Sequence, residues 1–101
     1  MNKFPVLDLS KFESDENFNQ IQFQKLQEEV AELDFAIDRD DKENTLEECL
    51  DIIQVIIPII LQYSKESIDK AFKYHVSKLK SRGWNIKNYV MVLLQKFTID
   101  K

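Results

Sequence analysis

Ten consecutive positions near the middle of this chain, 52–61, read Ile-Ile-Gln-Val-Ile-Ile-Pro-Ile-Ile-Leu, with Gln54 the only polar side chain. The run is far too short to span a bilayer, which takes about 20 apolar residues. It continues the polar stretch 45–51 without a Gly or Pro break, so it is the apolar end of a helix running from about 45 to 63. Wound at about 100° per residue, Leu46, Leu50, Ile53 and Ile57 share one face, while Ile52, Val55 and Ile59 point roughly the opposite way. A helix apolar on two sides is buried on both. A chain this short has few helices of its own to cover the second side. The expected fold class is therefore all-α, an antiparallel helical bundle completed by homo-oligomerisation, as a homodimer or homotetramer. Pro58 removes one backbone hydrogen bond and is expected to kink the helix.

The rest of the chain supports helices. Among 101 residues there is one Gly and there are two Pro, too little punctuation for strands joined by tight turns. The length suits a single domain over 1–101, with an irregular arm at 1–15 and a C-terminal extension at 85–101. A first helix is expected over about 16–37, with Phe23, Leu26, Val30, Leu33 and Ile37 spaced three and four apart as its packing seam. The polar run 38–42 reads as a short connection. Thr45 with Glu48 three residues on fits a capping box at the start of the second helix. A third helix is expected over about 67–81, with Ile68, Phe72, His75, Val76 and Leu79 on one face and Gly83 marking its end. The tail at 88–97 carries Val90, Leu93, Leu94 and Phe97 at helical spacing, yet its apolar run also suits a strand.

The net charge of −4 disfavours a nucleic-acid backbone as partner, because counterion release needs clustered Lys and Arg. The lone Cys49 excludes an intramolecular disulfide. The first ten residues lack the basic start and apolar run of a signal peptide. A cytoplasmic protein with no membrane partner is the expectation.

Two acidic clusters fall on consecutive helices: Glu28-Glu29-x-x-Glu32 and Glu47-Glu48-x-x-Asp51. Residues three apart are neighbours on a helix surface, and like-charged neighbours destabilise it by a few tenths of a kcal/mol. Two such pairs on helices that a short connection makes antiparallel suggest a cation between them, and hard ions such as Mg²⁺ take carboxylate oxygens. On the helical wheel Glu28 faces solvent, whereas Glu29 and Glu32 flank the seam beside Lys25 and Ala36. Glu48 and Asp51 share the face continued by Val55, the extra apolar side that needs a partner. The plain alternative is a pair of solvated acidic faces, with Glu48 serving only the capping box. An EF-hand is excluded, since a loop beginning at Asp38 would put Glu43 where Gly is needed and Cys49 where the bidentate Glu belongs.

The stretch Lys25-Leu26-Gln27-Glu28-Glu29-Val30-Ala31-Glu32-Leu33, followed by Glu47-Glu48-Cys49-Leu50-Asp51-Ile52-Ile53, resembles the MazG-like all-helical nucleoside triphosphate pyrophosphohydrolases, whose pattern is EExxE, a spacer, then ExxD. The segment Lys78-Leu79-Lys80-Ser81-Arg82-Gly83-Trp84 resembles the KLxxRGW stretch of short phage and Gram-positive members. Leu50 departs from the Gly that many members carry there. The resemblance implies Mg²⁺-dependent cleavage of a (d)NTP between its α- and β-phosphates, with Mn²⁺ as an alternative ion. It implies that Glu29, Glu32, Glu48 and Asp51 are the catalytic, metal-binding residues. A related activity, phosphoribosyl-ATP pyrophosphohydrolysis, would use the same acids. A non-catalytic helical dimerisation or regulatory module is the reading from a different class.

Lys78 and Arg82, four apart, are candidates to hold a polyphosphate, against the plain reading of a basic helix end. Lys25 is either a phosphate contact or the local partner of Glu29. Trp84, Phe23 and Tyr74 are able to stack on a base, but each is more often core. His75 reads as a core or interface histidine and Cys49 as inert packing.

Overall fold

The computed structural model describes residues 3–9 and 16–89. They form three helices and no strand: α1 (Phe18–Asp38), α2 (Lys42–Ile60) and α3 (Lys65–Ser81). The chain divides into two compact units, Met1–Gln62 and Tyr63–Lys101, each described by itself. The tail at 90–97 lies outside the described residues, as do 1–2 and 10–15 of the arm.

The first unit is a helical hairpin. Its connection is three residues long, and the local chemistry accounts for it. Arg39 closes α1 with its amide on the Phe35 carbonyl, and Asp40 adopts the left-handed conformation at φ 54°. The amides of Asp40 and Asp41 then reach back to the Ile37 and Ala36 carbonyls, satisfying groups that a helix end leaves bare. Asp41 starts α2: its carboxylate accepts from the Asn44 amide at 3.2 Å and from the Asn44 side chain at 2.8 Å. This corrects the expected capping box. Thr45 sits one turn inside the helix, its hydroxyl donating to the Asp41 carbonyl, because Asp41 is an equally good cap and the sequence after it is already helical.

The face by which α1 meets α2 is also not the expected one. The buried side chains are Phe18, Glu29 and Ala36 on α1, with Val55 and Pro58 opposite on α2. Leu26 and Leu33 are half-buried, but Phe23, Val30 and Ile37 of the expected seam are exposed. α2 runs through Pro58 to Ile60, and the Gln22 amide ties the two helices by donating to the Val55 carbonyl at 3.0 Å. On α2 the two apolar sides part company. Val55 faces the hairpin partner, whereas Leu46, Leu50 and Ile53 face outward. The side left bare is thus the Leu46 side, and not the Val55 side that the sequence reading expects to need a partner.

The second unit contains α3, capped by Ser64, whose hydroxyl accepts from the Ser67 amide at 3.1 Å. Gly83 ends it at φ 88°, as its position in the sequence suggested. Phe72 and His75 on its apolar face are exposed, and Ile68, Val76 and Leu79 are half-buried. Among the described residues no helix is long and apolar enough to cross a membrane.

Candidate metal centre

The flank of α1 that packs on α2 carries Glu29 into the helix contact, leaving it 8% exposed. Across from it, one turn apart on α2, stand Glu48 and Asp51, both half-buried. One carboxylate oxygen from each of Glu29, Glu48 and Asp51 lies within 4.8 Å of the other two, a set that could hold a metal ion. The three-residue connection sets this meeting, because it fixes how far α2 travels back along α1 before Glu48 comes level with Glu29.

A buried carboxylate at a helix contact is costly unless something answers its charge. Lys25, one turn earlier on α1, answers part of it at 3.8 Å from Glu29 Oε2. Glu29 Oε1 and Glu48 Oε1 are both shielded from solvent and have no hydrogen-bond partner. Partial burial, the first cause, pushes the Glu48 carboxyl up to about 7, with hydrogen bonding to Glu29 next and the charges of Glu32, Asp51 and Glu29 adding to it. A proton on Glu48 is one way to give the two orphaned oxygens a donor between them. A hard cation is the other, and it satisfies all three groups at once.

Of the four acids singled out in the sequence, the structure thus brings three together. Glu32 is exposed and outside the set, although its charge acts on Glu48. Glu28 is exposed, as the wheel required. Lys25 pairs with Glu29, favouring the local-partner reading. Lys78 and Arg82 belong to the second unit: Lys78 lies over the Tyr74 ring at 5.7 Å, and Arg82 is the last-turn cap of α3. Trp84, Tyr74 and Phe23 are exposed rather than core, at 67%, 68% and 56%. Cys49 is exposed too, because the stripe beside it faces outward. What sequence reasoning missed was Asp41, whose Asp-x-x-Asn spacing was a legible cap signal. Gln22 was missed as well, and no local pattern announces a side chain that tethers a distant carbonyl.

Compared with known proteins, the chain matches no family model, no curated protein and no solved structure.

Proposed function

We propose that this protein is a Mg²⁺-dependent nucleoside triphosphate pyrophosphohydrolase, working as a homo-oligomeric helical bundle. The observation that carries the reading is the trio Glu29, Glu48 and Asp51, with two of its oxygens shielded and unpartnered. A carboxylate buried against two others, with Lys25 at 3.8 Å as its one ion pair, is costly unless a proton or a cation joins the group. The donor set is all oxygen, which suits Mg²⁺ or Mn²⁺ over softer ions. Such an ion, when bound, neutralises phosphate oxygens and acidifies an attacking water.

The chain's own groups do the remainder. Glu29, Glu48 and Asp51 would hold the ion between α1 and α2. Lys25 holds Glu29 in place on one side and leaves its amine at the edge of the site for a phosphate oxygen. Glu32, uncommitted to the trio and one turn along α1, takes up the proton of the attacking water.

The test is a panel of ribo- and deoxyribonucleoside triphosphates with Mg²⁺, reading pyrophosphate. Glu29→Gln, Glu48→Gln and Asp51→Asn should each reduce turnover by orders of magnitude and lose the Mg²⁺-induced rise in melting temperature. Glu32→Gln should lose turnover yet keep that rise, and Glu28→Gln should keep both. Pyrophosphate release that is absent, or indifferent to Mg²⁺, removes the enzyme reading.

A further inference from the structure

We infer that α3 and the turn after it dock on an anionic lipid surface, with their apolar side chains set among the headgroups. Such docking is independent of the nucleotide chemistry. The net charge of −4 averages two unlike parts: residues 1–62 hold fifteen acids against five Lys and Arg, whereas residues 63–101 hold three acids against nine. Charges farther apart than about 10 Å are largely screened from each other at 0.1 M salt, so a partner meets the local charge and not the sum. The two acids of α3, Glu66 and Asp69, lie in its first two turns, and Asp69 is paired with Lys65 at 2.8 Å. Beyond them the helix and its C-terminal turn carry only basic charge.

The way charge and apolar surface alternate around α3 selects lipid among anionic partners. Ile68, Phe72, Val76 and Leu79 share one face, and no side chain of this helix is buried. Lys73 and Lys80 stand on one flank of that face, where they line a shallow hollow of about 440 Å³ with Phe72 and Val76. Lys78 and Arg82 fall on the other flank of the wheel. Basic side chains on both edges of an apolar stripe lay their stems along hydrocarbon and lift their charges to the headgroups. Trp84, just past the helix and 67% exposed, is an amphipathic ring of the kind that settles at headgroup level. A nucleic-acid strand answers basic groups and aromatic rings, but it offers nothing to Ile68, Val76 and Leu79. Lying on the surface requires no spanning segment, and among the described residues no helix is long and apolar enough to be one.

Trp84 is the chain's lone tryptophan, so its emission reports docking without a label. The experiment mixes the full chain with vesicles of phosphatidylglycerol and phosphatidylcholine, or of phosphatidylcholine alone, and follows co-sedimentation and Trp84 fluorescence. The anionic vesicles should carry the protein down and shift its emission to the blue, and the neutral ones should do neither. Binding should weaken as salt is raised. A Lys near an anionic surface contributes roughly fivefold in affinity, so Lys73→Gln combined with Lys80→Gln should weaken binding by about tenfold or more. Phe72→Ala, at an exposed site where Ala favours the helix, should weaken it by about tenfold as well. Wild-type protein that stays in solution with the anionic vesicles overturns the inference, and so does binding that the paired lysine substitutions leave unchanged. A single-stranded oligonucleotide bound more tightly than the vesicles, with no response to Phe72→Ala, makes nucleic acid the partner and overturns it too.

Discussion

Glu48 sits where burial and three acidic neighbours all favour its neutral form, and that gives the protein a pH dependence with a definite direction. Its carboxyl holds a proton up to about 7 in the fold, against 4.5 in an unfolded chain, so between those values the native state binds more protons than the unfolded one. Through this group, metal-free stability is greatest below about 4.5, declines as pH rises, and reaches its low plateau above about 7. Melting curves in a chelating buffer should show that decline, and Glu48→Gln should flatten it. Mg²⁺ competes with the same proton, so its apparent affinity should rise with pH up to about 7 and level off above. The melting temperature gained on adding Mg²⁺ should therefore be larger above that pH than below it. An equal gain on both sides would remove Glu48 from the ligand set. Asp51→Asn should raise metal-free stability for the same reason, since it deletes one of the charges that Glu48 faces.

Between elements, the connection Arg39-Asp40-Asp41 determines more than its length suggests. Asp40 holds a left-handed conformation that Gly adopts without penalty, so Asp40→Gly should stabilise the hairpin by up to ~1 kcal/mol, read as a higher denaturation midpoint. Asp41→Ala removes the cap on Asn44 and should cost about 1 kcal/mol in the same assay. The three helices, their order and the acidic partners on α1 and α2 were legible in the sequence, because 3.6-residue periodicity and paired acids three apart are local signals. The facing of α1 was not. Phe23, Val30 and Ile37 make a better stripe on paper than Phe18, Glu29 and Ala36, and only tertiary packing against α2, with Val55 and Pro58 buried opposite, selects the second. A wheel ranks faces by hydrophobicity, whereas the hairpin chose the face on which its acids meet. The same blindness assigned Val55 to a partner chain and Trp84 to a core.

At the scale of the whole molecule, few apolar side chains are buried among the described residues, which is why assembly is proposed for this chain. Its melting temperature should climb as protein concentration is raised, by mass action, and a concentration-independent value would show that the chain is stable alone. The acidic centre, in contrast, needs only residues 29–51, whose ends are drawn together by three connecting residues. That locality sets an order of events in time. Closing a short loop takes about 10–100 ns and winding a helix about a microsecond, while two chains at micromolar concentration must first find each other. Refolding should thus show an early phase, indifferent to dilution, in which the carboxylates are already assembled, and a later one that slows on dilution as the outer seams close. An ion present from the start would meet a finished binding place on an unfinished protein, and would hold the hairpin in shape through the slower step.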